Sequence, residues 1–157
     1  MKKLLVLAAI WAAPVGAEEQ HQQAVLNCLS EIGFSTEWNT CLNLMFEPCA
    51  GEEIGSDAHL ACLFQQRIDW HNTKIRTEAV ILDRLTEGGV EELSGLMLAW
   101  PSFVKNKCEV VGESRADISY EAARLGCEVS EHVLLTNEFQ ACLDGRSTED
   151  YCKLKDF

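Results

Sequence analysis

Residues 99–127 read AWPSFVKNKCEVVGESRADISYEAARLGC, and they decide the fold that we expect for this chain. Cys108 falls late in one helical pattern and Cys127 falls in the next, with a Gly-Glu-Ser turn at 112–114 between them. Such a turn lets two Cα atoms approach within the roughly 4.4–6.8 Å that a disulfide needs. The stretch therefore predicts two consecutive helices closed by a Cys108–Cys127 disulfide.

The other six cysteines suggest the same kind of local closure. Cys49 and Cys62 flank a loop with two glycines, and Cys28 and Cys41 repeat their spacing. An even number of cysteines in an exported chain of this size is typical of a disulfide framework. The predicted pairs are Cys28–Cys41, Cys49–Cys62, Cys108–Cys127 and Cys142–Cys152. Bonds between distant helices, such as Cys62–Cys108, are the alternative.

Helical periodicity covers most of the chain, and no useful length of strand-like alternation competes with it. The longest helix opens at Ser56 and reaches about Leu85, with Gly88-Gly89 marking its end. Short reversals between successive helices favour an antiparallel arrangement. The expected fold is therefore all-α, a small disulfide-stapled antiparallel helical bundle.

Within the longest helix, the spacing predicts which side chains are buried. Phe64 and Ile75 fall on the expected apolar face, whereas Arg67, Lys74 and Glu78 are expected on the wetter side.

Pro101 lies inside the next helical pattern. Proline removes a backbone donor and clashes with the preceding turn, which costs about 3 kcal/mol in a helix interior. We therefore expect a kink or a new helix start there. A polar loop over residues 111–118 follows, with Asp117 or Ser119 as the cap of the last helix, which Gly145 ends.

Residues 1–17 are interpreted as a secretory signal peptide. Two lysines precede an apolar run over residues 4–13, which is too short to span a bilayer, and small residues follow it. A buried N-terminal helix is the alternative. Residues 18–157 are expected to form a single helical domain. We therefore expect a periplasmic or secreted protein with no membrane anchor after cleavage.

Charge limits the class of partner. The chain carries 13 basic and 25 acidic residues, a formal charge of −12, which becomes −14 without the two lysines of the signal peptide. This charge argues against nucleic acid and anionic membranes as partners. It suits a basic partner, although solubility alone also accounts for an acidic surface.

The sequence offers no residue set for catalysis or for metal binding. Structural zinc needs closely spaced ligand pairs, but the chain has no Cys-x-x-Cys and four scattered histidines. Every cysteine has a use as half of a disulfide, so no thiol nucleophile is expected. The carboxylate pairs at 18–19, 52–53 and 91–92 are typical of solvated loops and helix starts. We expect no enzyme activity, no metal and no cofactor.

The order of cysteines and tryptophans over residues 48–143 resembles the LprI-like N-terminal domain family of lysozyme inhibitors. The residues that carry the resemblance are Pro48-Cys49, Cys62, Asp69-Trp70, Ala99-Trp100, Phe103, Cys108 and Cys127. The chain departs from the family at 103–105, which read Phe-Val-Lys where the family has an aromatic-Arg-Asp triplet. It also lacks the family's Leu-Asn pair near 74–75 and its arginine near 134–135.

The resemblance implies a small exported helical protein with oxidised cysteines that inhibits lysozyme. Its expected partner is a lysozyme or another basic cell-wall hydrolase, blocked by occlusion, and the acidic charge would steer the encounter. The expected partner-binding residues, chosen for their exposure, are Glu52, Glu53, Glu113, Ser114 and Arg115.

An alternative function is a helical envelope binding module for a small molecule or cell-wall component. Such a ligand would lie between helices near Trp70, His71 and Trp100. Tryptophans at helical spacing are more often part of a core, and a histidine beside one is more often on the surface. The sequence leaves both interpretations open.

Overall fold

The computed structural model describes residues 16–32 and 38–155. The helices are α1 (Ala17–Ile32), α2 (Trp38–Phe46), a 3₁₀ turn (Glu47–Cys49), α3 (Asp57–Arg84), α4 (Glu87–Ser114) and α5 (Tyr120–Leu143). In this part of the chain the β pairing is limited to one isolated bridge, Leu85 with Leu154. The predicted all-α fold is confirmed. Residues 1–15 of the predicted signal peptide lie outside the described residues.

Each of the three long helices begins at a hydroxyl side chain that caps it. The caps are Ser56 Oγ, which accepts from His59 N–H at 3.1 Å, Thr86 Oγ1, which accepts from Gly89 N–H at 3.3 Å, and Ser119 Oγ, which accepts from Ala122 N–H at 3.3 Å. These bonds satisfy backbone donors that a helix start leaves unpaired. Gly145, just past α5, has a φ of 69°, which suits glycine. The predicted starts at Ser56 and Ser119 and the predicted end at Gly145 are confirmed.

The helices α3, α4 and α5 form an up–down–up bundle. The contacts that fix their directions are Arg67–Glu128 and His71–His132 between α3 and α5, and Cys108–Cys127 and Trp100–His132 between α4 and α5. Positions rise together along α3 and α5, so these two helices run parallel. Positions run in opposite directions along α4 and α5, so α4 is antiparallel to its neighbours in sequence, as short connections require.

The central helix of the protein is α5, because it contributes to all three clusters of buried apolar residues. Val129 and Val133 pack with α1, α2 and Trp70, while Phe139 packs with residues of α3, α4 and the C-terminal segment. Leu125 packs at the opposite end with residues of α3 and the 3₁₀ turn. Each Å² of apolar surface removed from water stabilises the fold by roughly 25 cal/mol. Because α5 contributes to all three clusters, it is the main source of hydrophobic stabilisation.

Four disulfides join successive elements, and they are the four pairs that the sequence predicted. Cys28–Cys41 joins α1 to α2, Cys49–Cys62 joins the 3₁₀ turn to α3, Cys108–Cys127 joins α4 to α5, and Cys142–Cys152 joins α5 to the C-terminal segment. All eight cysteines of the sequence lie in the described residues and take part in these bonds. Each bond closes a short loop. It stabilises the fold by roughly 3 kcal/mol, because it lowers the conformational entropy of the unfolded chain.

The corner between α3 and α4 has no disulfide and is held by the C-terminal segment instead. Thr86 N–H donates to the carbonyl of Lys153 at 2.7 Å. A Cβ atom at position 89 would lie 2.6 Å from the carbonyl oxygen of Tyr151, so only glycine allows this approach. The Cys142–Cys152 bond anchors the same segment and therefore stabilises this corner indirectly.

Two sequence expectations for α4 are wrong, and at Pro101 one of the two expected outcomes is excluded. Residues 88–89 lie in its first turn rather than at the end of α3, because Thr86 already caps α4. The helix passes through Pro101 as one element, so a new helix start there is excluded. Residues 111–114 are helical rather than loop, because Gly112 packs in the last turn of α4 against α5.

The predicted faces of α3 are wrong at Phe64, Ile75 and Lys74. Phe64 and Ile75 are 48% and 46% exposed, whereas Trp70 and Lys74 are buried. The buried stripe follows α5, which packs along most of the length of α3. Among residues 16–32 and 38–155, no helix has both the length and the apolar character needed to cross a membrane.

Candidate binding surfaces

Two predicted partner-binding segments meet at one end of the bundle. The loop before α3 and the corner between α4 and α5 lie side by side, since a Cβ atom on Gly55 would be 3.6 Å from Ser119 Oγ. Between them is a groove of about 890 Å³. We call it the end groove, and its walls include Leu42, Phe46, Glu52, Ile54, Arg115 and Ile118.

The rim of the end groove is acidic. The loop and helix start at 47–57 and the corner at 113–119 carry the exposed acids Glu47, Glu52, Glu53, Asp57, Glu113 and Asp117, against Arg115 as their basic residue. Arg115 donates to both carboxylate oxygens of Asp117, each at 2.7 Å. These hydrogen bonds lower the pKa of Asp117 to about 2 and raise that of Arg115. The pair is neutral, so the remaining rim is wholly negative.

The structure separates the five predicted contact residues into two groups. Glu52 and Arg115 line the end groove. Glu53, Glu113 and Ser114 are exposed beside it without lining it. Glu113 and Ser114 belong to the last turn of α4 rather than to a loop, and Ser114 Oγ donates to a backbone carbonyl of the same helix.

An apolar side chain that sequence reasoning missed lies in the end groove. Ile54 is 66% exposed at the tip of the loop, between Glu53 and Gly55. The signal available in the sequence was its position between two acids and a glycine. An exposed apolar residue within a charged rim is typical of a contact surface.

A second concave surface, the central cleft, lies between α3, α4 and α5 and has a volume of about 430 Å³. Its polar and aromatic walls are Arg67, His71, Lys74 and Glu78 of α3, Trp100 and Lys105 of α4, and Glu128 and His132 of α5. The α3 residues share one stripe because they are three or four positions apart. Of the residues expected near a ligand, His71 and Trp100 line the cleft, whereas Trp70 is buried in the core.

His132 is the more buried of the two histidines in the central cleft. Its side chain is 8% exposed, and its ring centroid lies 5.0 Å from those of both His71 and Trp100. Within the described residues its Nδ1 has no hydrogen-bond partner. Burial, and then the charges of His71, Lys74 and Arg67, lower the pKa of this histidine to about 4. The ring is therefore neutral at physiological pH.

Lys74 is a buried cation at the edge of the same cleft, only 5% exposed. Its Nζ lies 2.7 Å from Glu78 Oε2 and 5.4 Å from the centroid of the Trp100 ring. The ion pair and the cation–π contact offset the desolvation of the ammonium group. The prediction that Lys74 lies on the wetter side is wrong, because Trp100 of α4 covers it.

Comparison of the chain with protein-family models, with curated proteins and with solved structures finds no match. The fold and the two surfaces define the molecule as a disulfide-stapled, all-α helical bundle. Four disulfides are typical of a protein outside the reducing cytosol. The described residues include no group of three or more His, Cys, Asp or Glu side chains arranged to hold a metal ion. The likeness to the LprI-like family stays a prediction.

Proposed function

We propose that this protein is an exported, non-enzymatic interaction protein that binds a basic cell-wall lytic enzyme of the lysozyme kind and blocks it by occlusion. The observation that carries the proposal is the end groove, where Glu52 and Arg115 come together from distant parts of the sequence. The predicted signal peptide at 1–17 and the disulfides support a periplasmic or secreted location.

The charge of the rim supports a basic partner. Once Asp117 is paired with Arg115, the carboxylates of Glu47, Glu52, Glu53, Asp57 and Glu113 remain uncompensated there. Five negative charges at one end of a molecule raise the association rate of a positively charged protein and orient it on approach. The interaction is therefore expected to weaken as salt rises.

The apolar side chain inside this rim supports a specific contact rather than diffuse attraction. Interfaces concentrate their affinity in a few apolar or aromatic anchors surrounded by polar groups. Ile54 has this position, because it is 66% exposed and lies in a groove whose walls include Phe46 and Ile118.

Both sides of the groove are held rigid by disulfides. Cys49–Cys62 closes the loop that carries Glu52 and Ile54, and Cys108–Cys127 closes the corner that carries Arg115. A surface that is ordered before binding loses less conformational entropy in the complex. Occlusion requires such a surface and needs no catalytic groups.

The test is the clearing of a peptidoglycan suspension by basic lysozymes of several types, with and without the oxidised protein. We expect saturable slowing of lysis, which Ile54→Ser weakens. Leu98→Ser is the matched control, because Leu98 is an 84% exposed apolar residue on α4, away from the groove. Unchanged lysis at molar excess with every lysozyme type would remove the proposal.

A second candidate function is small-molecule binding in the central cleft. The observation that favours it is His132, a nearly buried side chain that lines the cleft with an unpartnered Nδ1. A volume of about 430 Å³ is within the range of small-ligand sites. Native mass spectrometry of the purified protein tests it: a reproducible bound mass supports the candidate, and a bare protein with no affinity for any added compound removes it.

A further inference from the structure

We propose that the central cleft binds a small organic carboxylate, whose flat apolar body covers Trp100 and whose carboxylate lies beside Lys74 and His132. The inference rests on the second candidate function and is independent of the end groove. Four features of the cleft support it.

The first feature is unsatisfied hydrogen-bonding capacity. Nδ1 of His132 and Nε of Arg67 are both buried without a partner among the described residues, and both side chains line the central cleft. A buried polar group left unpaired destabilises a protein by about 1–3 kcal/mol, so such groups usually have a partner. A carboxylate accepts hydrogen bonds at both oxygens and suits Arg67 Nε–H and a protonated histidine.

The second feature is local charge. The cations Arg67, Lys74 and Lys105 outnumber the carboxylates of Glu78 and Glu128 in the cleft. Both carboxylates already have cationic partners, Arg67 with Glu128 at 3.2 Å and Lys74 with Glu78 at 2.7 Å. The residues that line the cleft thus carry one more positive than negative charge, in a chain of net charge −12, and Lys105 has Glu109 outside the cleft at 3.9 Å. Screening over about 8 Å at physiological salt limits repulsion of an anion by the distant surface acids.

The third feature is the apolar wall. Trp100 is half-buried, and Met97, Pro101 and Val104 of α4 continue the wall beside it. Aromatic faces bind flat apolar groups by stacking. The volume of about 430 Å³ suits a compound of one or two rings and is too small for a folded peptide or a glycan strand.

The fourth feature is coupling to protonation. The titratable and charged groups that face the two histidines are Arg67, Lys74 and Glu78 of α3, Lys105 of α4 and Glu128 of α5. Of all these groups, histidines are the ones that ordinarily change charge between pH 5 and 8. Burial and then nearby cations lower the pKa of both His71 and His132, and a bound anion would oppose the effect of the cations. Binding should therefore take up a proton, and affinity should rise as pH falls.

The experiment is calorimetric titration of the full-length oxidised protein with naphthoate and with the neutral isostere naphthamide. At about pH 6 we expect one saturable site for naphthoate, with naphthamide at least tenfold weaker. Uptake of one proton makes the naphthoate dissociation constant fall by up to about tenfold per pH unit as pH decreases.

Variants locate the site. Lys74→Met should weaken naphthoate at least tenfold, whereas Lys153→Met, at an exposed lysine that also pairs with a glutamate, should leave it unchanged. Near-UV circular dichroism shows whether Lys74→Met folds. If it does not, His132→Asn provides the test, because it should weaken naphthoate binding and reduce its pH dependence.

The outcomes separate this inference from both proposed functions. Naphthoate and naphthamide of equal affinity would overturn the carboxylate class and leave small-molecule binding standing. Loss of affinity in Lys153→Met equal to that in Lys74→Met would overturn the location. No binding of either compound would overturn the inference, while native mass spectrometry tests small-molecule binding and lysozyme inhibition tests the end groove independently.

Discussion

Gly112 lies so close to Tyr120 that a Cβ atom at position 112 would be 2.7 Å from Cδ2 of the tyrosine ring. Gly112 is in the last turn of α4, and Tyr120 is the first residue of α5. Glycine therefore allows the two helix ends to approach each other. The corner between them, which carries Arg115 and one wall of the end groove, depends on this contact.

Gly112→Ala should destabilise the protein, because the added methyl group overlaps the Tyr120 ring and lies 3.1 Å from the backbone carbonyl oxygen of Tyr120. Overpacking of this kind costs about 1–3 kcal/mol. Gly95→Ala is the control, because Gly95 lies in the same helix with nothing within 4 Å of its Cβ position. That change should stabilise by about 0.5–1 kcal/mol through helix propensity. Urea unfolding measures both, and equal midpoints for the two variants would contradict the packing at Gly112.

Much of the fold could be predicted from the sequence, because its signals are local. Hydroxyl caps at Ser56 and Ser119 and the glycine at 145 mark helix ends through contacts within one turn. The four disulfides close short loops, so the spacing of the cysteines and the turn residues between them favoured these pairs. The end of α4 was predicted wrongly because the contact of Gly112 with Tyr120 joins two helices and leaves no local mark.

Removal of the Cys108–Cys127 disulfide should lower the melting temperature and release a reactive thiol. Cys108→Ala leaves Cys127 unpaired, and loss of a native disulfide from a small domain costs about 2–5 kcal/mol. Thermal unfolding and thiol labelling of the variant measure both effects. Peptide mapping of the native protein without reduction should yield the local pair. A Cys62–Cys108 peptide in that map would contradict the arrangement of helices.

The stability of the protein should fall as pH decreases through the range set by His132. Its pKa is about 4 in the folded protein against an ordinary value of 6.5, so the unfolded chain binds the proton first. The contribution of this histidine to the free energy of unfolding is therefore complete above about pH 6.5. It is lost progressively towards pH 4, by up to about 3 kcal/mol.

The measurement is the free energy of unfolding of the native protein and of His132→Asn across this pH range. The variant lacks the titrating ring, so its stability should fall less steeply, with only the contribution of other groups remaining. Identical slopes of unfolding free energy against pH would show that burial in the central cleft does not lower the pKa of His132.

The two surfaces were predicted to different degrees. Exposure of the acidic loop was a local inference, and Glu52 and Glu53 are exposed. The central cleft was indicated only by His71 and Trp100. Its remaining groups could not be predicted, because Lys74 is buried by Trp100 of α4, and His132 approaches from α5. The helical periodicity of α3 does not indicate that Trp100 of α4 covers Lys74.

The central claim is that the acidic rim of the end groove, rather than the overall charge, binds a basic lytic enzyme. Glu52→Lys with Glu53→Lys reverses two rim charges. Glu91→Lys with Glu92→Lys makes the same change in net charge near the start of α4, roughly 30 Å along the helix from its other end. All four side chains are exposed.

The decisive measurement is the concentration of each double variant that halves lysozyme-driven clearing of a peptidoglycan suspension. We expect the change at 52–53 to raise this concentration at least tenfold, and the change at 91–92 to have a much smaller effect. Equal losses from the two double variants, or full inhibition by the variant at 52–53, would contradict the assignment of the end groove as the contact surface.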